Sequence, residues 1–389
     1  MIGKIVEIQV DGEIREFKLG DSITFTRDLD SISDSGSVSL PYNKDFFNLP
    51  LFTPITIYAG EVSSSYYTKD DLIKVFDGYI TNIRVTRSKT SPSITIEFAD
   101  KVYWFNFNEP IRTPQSLNLP LFNFEGATNI YDFVRLLKQI FMESNLTIPF
   151  EMDVKVEENL MVPLSGDKNV YNILQHIKQK SVVYIIYNPW DNKLVFKTPD
   201  YIQYLQKGEE EVYSFDISNI INTLNVSSTT SLVNVVVYVG QGGRKGVAVD
   251  WASLVEGKKL REVRFYAQWT SNIEELERLA RNKLLELLRN NNISFNIPVN
   301  NTTLKFLPGM LVSINDGDIF SGEVFIVKSL SYTISKNDVS CNVNVYSSFI
   351  TTLPENFVIK DYNITDISSF RERSEKFIHD LAQVYDYED

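Results

Sequence analysis

The stretch VFDGYITNIRV, residues 75–85, decides how this chain is read. Val75, Tyr79, Ile83 and Val85 fall on one side of an extended segment, the period of a half-buried strand. Phe76 and Gly78 interrupt that period. An F-x-G step returns in IFSGEVFIVKSL, residues 319–330, and the likeness extends around it. Each copy has an aromatic-x-Pro entry (Phe52, Pro54; Phe306, Pro308), then an alternating strand (Ile55, Ile57; Leu311, Ser313). Each crosses a turn to F-x-G (Phe76, Gly78; Phe320, Gly322) and ends with two more alternating strands. The expectation is one barrel motif used twice. A strand glycine marks a bulge or a close backbone approach, and the phenylalanine before it would plug a barrel end.

Outward from these copies, the texture divides the chain. Residues 1–107 read as strands, with a hairpin turning at Asp11-Gly12 and a polar loop at 61–72. They form the first barrel. Residues 108–208 open with a linker carrying Pro110, Pro114 and Pro120. Two amphipathic helices follow, through Ile130, Phe133, Val134, Leu137, Ile140 and Phe141, and through Val170, Ile173, Leu174 and Ile177. A hairpin turning at Asn188 to Asn192 completes this α+β module. Residues 209–350 are the second barrel, with a loop and long helix inserted at 241–292. Ser271 and Glu274 have the spacing of a capping box at the start of that helix. Residues 351–389 read as an amphipathic helix and an acidic tail. The fold class is α+β, mainly β: two similar small antiparallel β-barrels plus an α+β module. In a trimer, six such barrels would make a pseudo-sixfold ring, because repeated heterologous contacts end by closing.

Composition narrows the function. With 43% hydrophobic and 23% charged residues, the chain is globular rather than disordered. A formal net charge of −12 argues against general nucleic-acid binding, which needs cations to displace counterions. The single cysteine, Cys341, rules out an internal disulfide. No apolar run approaches the roughly 18 residues of a membrane helix, and the first strand-like residues lack a signal-peptide core. The expectation is a chain made in the cytoplasm without a membrane anchor.

At this point the sequence resembles the baseplate hub proteins of bacteriophage tails. The features that carry the likeness stand in order over roughly residues 1–350. They are VFDGYITNIRV and SITIEFAD, then NVYNILQHIKQKSVVYIIYNPWDNKLVFKTPD, then NIEELERLARNKLLELLRNN, then PGMLVSINDGDIFSGEVFIVKSLSYTIS. Similar hub modules occur in type VI secretion spikes and in siphophage tail-associated proteins. The resemblance implies a homotrimer around a channel in the virion. It would join the sixfold tail tube, or a distal tail protein, to a threefold spike or tip, with the tape measure protein as a further partner. DNA would pass through without specific binding, and an acidic lumen would suit that passage.

No residue pattern points to catalysis, a cofactor or a metal. GQGGRKG, residues 240–246, lacks the Lys-Ser/Thr ending of a phosphate loop and reads as a hairpin tip. The two histidines, His176 and His379, have no ligand or catalytic companions at a suitable spacing. Asp28, Asp30 and Asp34 lack the glycine and terminal glutamate of a calcium loop and read as a polar turn. Cys341 reads as a buried thiol. The candidate partner contacts are Arg244 and Lys245 in a basic cluster, and Phe370, Phe377 and Leu381 on the terminal helix. The alternatives are a cell-wall or glycan hydrolase attached to a tail, and a carbohydrate-binding tail protein.

Overall fold

A computed structural model describes residues 1–346 apart from 108–125, 198–211, 250–260 and shorter breaks of one to five residues. The terminal segment with Phe370, Phe377, Leu381 and His379 lies outside the described residues. So do Phe320 and the prolines at 110, 114 and 120.

The first seven strands are β1 (Ile2–Val10), β2 (Glu13–Lys18), β3 (Ile23–Asp28), β4 (Ser35–Pro41), β5 (Pro54–Glu61), β6 (Ile73–Arg87) and β7 (Pro92–Asp100). Gly12, at φ 84°, turns the β1–β2 hairpin. The α+β module holds β8 (Gly126–Asn129), the helix Ile130–Glu143, β9 (Glu151–Lys155), β10 (Met161–Leu164), the helix Val170–Ser181 and the hairpin β11 (Tyr184–Asn188)–β12 (Lys193–Lys197). Its own apolar core, with Phe133, Leu137, Ile173, Leu174 and Phe196, also takes Ile32, Val102 and Phe105. The chain continues through β13 (Val212–Asp216), β14 (Ile221–Ser228), β15 (Val235–Gly240), β16 (Lys245–Val249), β17 (Glu262–Ala267), the helix Ile273–Leu288, β18 (Asn291–Ile297), β19 (Leu311–Asn315), β20 (Ser321–Ile334) and β21 (Val339–Tyr346). The β15–β17 sheet and the long helix share a small core through Tyr238, Leu276, Leu279 and Leu284. Asn272, not Ser271, caps that helix: its Oδ1 accepts the Glu274 N–H at 3.0 Å, and Thr270 Oγ1 accepts the Asn272 N–H at 3.1 Å.

The repeat is present, in a register the sequence match misplaces. One unit runs β1-β5-β6-β7-β4-β3 and the other β13-β19-β20-β21-β18-β14. Both belong to one thirteen-stranded sheet over one continuous apolar core, because β3 pairs with β20. Corresponding strands carry the same irregularities. In the first unit Val75 bulges between β5 and β6, and Thr81 between β6 and β7. In the second, Gly322 and Lys328 bulge in the same two places. The spacing from Val75 to Thr81 equals that from Gly322 to Lys328.

The entry turns confirm the correspondence. Phe52, at φ 74°, donates its N–H to the Ile80 carbonyl (2.9 Å), and Ile80 returns its N–H to the Thr53 carbonyl (3.0 Å). Gly309, at φ 86°, donates to Val327 (2.7 Å), which returns its N–H to Met310 (2.9 Å). Phe52 therefore corresponds to Gly309 rather than Phe306, Val75 to Gly322, and Gly78 to Phe325. The two F-x-G steps are not equivalent. Gly322 is the bulge, whereas Gly78 lies where a Cβ would meet the Ala99 carbonyl oxygen at 2.0 Å. The bulges also correct the face assignment in β6. Val75, Phe76 and Ile80 lie in the core before Thr81 and Tyr79 does not, and Ile83 and Val85 pack against the core after it. One departure is topological: β1 runs antiparallel to β5, while β13 runs parallel to β19.

Candidate assembly interface

The residues that lock the units together lie at the β3–β20 joint. β3 alternates Ile23, Phe25 and Arg27 inward, so periodicity alone carries an arginine into the core, 1% exposed. Its Nη1 donates to the carbonyls of Leu304 (3.1 Å) and Phe306 (2.5 Å), and its Nη2 to that of Val75 (2.6 Å). The guanidinium also lies 5.2–5.4 Å from the ring centroids of Phe25, Tyr332 and Trp190. One cation thus touches both sheet units and the α+β module. Phe25 and Tyr332, opposite each other across the joint, stack with centroids 4.5 Å apart.

Beside it, the loop between β3 and β4 is clamped to the module. Asp100 Oδ1 accepts from Ser33 Oγ (2.8 Å) and the Val102 N–H (3.0 Å), and Oδ2 from the Asp34 N–H (2.9 Å). Lys178, on the helix Val170–Ser181, donates to the Ser31 carbonyl at 2.6 Å. Burial pushes the Asp100 carboxyl up to about 7, against hydrogen bonds that favour its ionised form. Asp34, half-buried as a residue, has its carboxyl raised too, by burial first and by Asp100 second. Burial lowers Lys178 to about 8 despite the pull of Asp30 and Asp28.

The folded state holds the Asp100 proton more tightly than the unfolded chain does. The stabilisation is therefore full below the ordinary carboxylate pKa of about 4 and is lost as pH rises through about 7. Thermal melts of the parent should fall in midpoint from pH 5 to pH 8. Asp100→Asn should flatten that slope, and an unchanged slope in the variant would place the titration elsewhere.

A cleft of about 250 Å³ opens next to the clamp, between the α+β module, the long helix and the sheet. Asp30, Lys178, Tyr184, Lys283, Glu286 and Tyr346 line it. Its charges are largely matched within the chain. Tyr346 Oη bonds Asp30 at 3.0 Å, and Lys283 bonds Glu286 at 2.8 Å.

Arg244 and Lys245 lie away from these joints, where the hairpin tip enters β16. Arg244 is exposed and donates to the Ser271 carbonyl at 3.1 Å; Lys245, half-buried, stands opposite Val239. The loop Gln241–Gly243 uses positive φ at Gly242 and Gly243, as a hairpin tip requires. Cys341 is fully buried and half-buried His176 sits on its helix. Among the described residues no group of three ligating side chains could hold a metal, and no helix is long and apolar enough to cross a membrane. The aspartates of the 28–34 turn order backbone instead: Asp28 Oδ1 accepts the Asp30 N–H at 2.8 Å. Sequence reasoning missed Arg27 and Asp100. The inward phase of Arg27 in ITFTRDL was the available signal; nothing local marked Asp100.

No protein-family model matches the sequence, and no curated protein matches it. Solved structures do share its fold. The tail protein from Neisseria meningitidis MC58 aligns with a TM-score of 0.63 at 15% identity, over 90% of this chain and 98% of that one. The 43 kDa tail protein of prophage MuSo2 from Shewanella oneidensis aligns with a TM-score of 0.59 at 12% identity, over 90% and 100%. Prophage tail protein gp18 from Listeria monocytogenes EGD-e aligns at 0.53 and 12%, over 89% and 94%. Over about nine-tenths of its length, this chain has the fold of solved phage tail proteins.

Proposed function

We propose that the chain is a structural hub protein of a phage tail: a homotrimeric ring that joins the sixfold tube to a threefold spike or tip and surrounds the genome channel. The observation that carries this reading is the doubled unit, with matching strand order and matching bulges, joined side by side in one sheet. A chain that presents the same unit twice offers two near-equivalent surfaces, and three such chains offer six. The likeness to tail proteins supports the setting in a virion. The tape measure protein is a further partner, and no catalytic role or cofactor is part of the proposal.

Native mass spectrometry with particle imaging tests it. The expected result is three 44.7 kDa chains around a central hole, alone or with the neighbouring tube and spike proteins. A chain that stays monomeric with those partners present overturns the reading. Clearing of a cell-wall suspension by the purified protein would favour the hydrolase alternative instead. Arg244 and Lys245 are proposed to meet an acidic neighbour. Reversing both charges should weaken partner capture at least tenfold in pull-downs while the chain stays folded, with only the small loss of the Arg244–Ser271 bond in the melting curve.

A further inference from the structure

The joint inside the chain predicts the joint between chains. In it, β3 of the first unit runs antiparallel along the far half of β20 in the second, Ser329 to Ile334, on the edge that β19 has left. The repeat gives each partner a counterpart: β14 for β3, and the far half of β6, from Asn82 onward, for β20. Among the described residues β14 pairs only with β18, and this half of β6 only with β7. Among the described residues, the chain therefore uses one copy of the joint, and no strand pairs with either half of the second.

We infer that β14 of one copy of this chain pairs antiparallel with the far half of β6 in the next copy, in the register of the β3–β20 joint. The correspondence fixes the partners. Thr26 opposite Ser331 becomes Ser227 opposite Arg84, and Phe25 opposite Tyr332 becomes Val226 opposite Val85. Ile83, Val85 and Leu224 are only partly buried against the core, so pairing would remove apolar surface from water.

Charge supplies a second, independent argument. Natural edge strands that face solvent carry charges which discourage pairing. β2, with sequence EIREFK, is such an edge and is exposed at five of its six residues. β14, with sequence INTLNVSS, carries no charge; the far half of β6 carries Arg84, already paired with Glu97 at 2.8 Å, and Arg87, so it is β14 that lacks such a guard. Where β3 has Arg27, β14 has Ser228, so the second joint lacks the buried cation and separates more readily than the first. Because β14 and β6 are different surfaces, the contact is heterologous and must close into a ring or grow. The inference rests on the hub reading only for the number of copies that close it.

The test is cysteine cross-linking of the full chain, in which Cys341 is buried and silent. Arg84→Cys with Ser227→Cys should oxidise to a ladder of linked chains, at least tenfold above either single variant. Arg84→Cys with Val226→Cys, which are one position out of register in this pairing, should not. Val85→Asp, on a half-exposed edge, should leave a folded monomer. An assembled oligomer without this cross-link overturns the joint and leaves the hub reading standing. A cross-linked but open-ended fibre supports the joint and overturns the trimeric ring. A monomer at all concentrations without cross-link overturns the joint, and would mean that another segment of the same chain covers these edges.

Discussion

Gly78→Ala is expected to abolish soluble expression of the folded chain, or to lower its stability by more than about 4 kcal/mol. The added methyl would lie 2.0 Å from the Ala99 carbonyl oxygen and 2.7 Å from the Asp100 Cα. Both atoms are backbone, so no side chain can turn aside. Nor can β7 retreat. It pairs with β6 on one side and β4 on the other, and the Asp100 carboxyl anchors its end. The check is soluble yield and the melting curve, beside Gly12→Asn as a control. Gly12 has φ 84° with open space around it, and asparagine tolerates that conformation at a cost below about 1 kcal/mol. If Gly78→Ala melts like the parent, the approach of β6 to β7 is wider than described and the glycine has another reason.

Arg27→Met should cost on the order of 4 kcal/mol, the second-largest single effect expected. Methionine fills much of the same volume, so the loss isolates the hydrogen bonds. Three buried carbonyls, of Val75, Leu304 and Phe306, would lose their donor together. Replacing a buried ion by an apolar side chain is often nearly neutral when its partner leaves as well. Here the partners are backbone and remain. Arg27→Lys should recover less than half the loss, because an ammonium cannot reach three divergent acceptors as the planar fork does. Urea unfolding reads both variants. A single transition splitting into two would show that Arg27 couples the units. A midpoint unmoved in Arg27→Met would mean that water serves those carbonyls as well.

Much of this fold was legible, and the misreadings share a cause. The helices over Ile130–Glu143 and Val170–Ser181 follow from apolar spacing that each helix satisfies within itself. The hairpin at Asn188–Asn192 follows from local turn chemistry. The doubled unit was legible because strand order recurs, with a turn of the same length between the last two strands of each copy. Its register was not, since the chance F-x-G match sets Gly78 against Gly322, three residues out of step with the Val75 bulge that is its true counterpart. A bulge depends on how two strands meet, and neither strand's sequence announces it. Asp100 was hidden for the same reason: its partners Ser33 and Asp34 are distant in sequence. Arg27 was in view, in the inward phase of its strand, but an inward arginine is expected only where acceptors wait, and those come from residues 75, 304 and 306.

The β3–β20 joint also sets a timetable for folding. Thr26 meets Ser331 across 305 positions of chain, so the edge of the first unit waits for almost the last strand to be synthesised. At ribosomal speeds of about 5–20 residues per second, that wait lasts tens of seconds. Throughout it, β3 exposes a bare row of amides and carbonyls and the stem of Arg27. Nascent chains on one polysome are thus open to mispairing with each other before they can pair with themselves. A folding helper that masks β3, or slow and dilute expression, should raise the yield of native protein more than any stabilisation of the finished sheet.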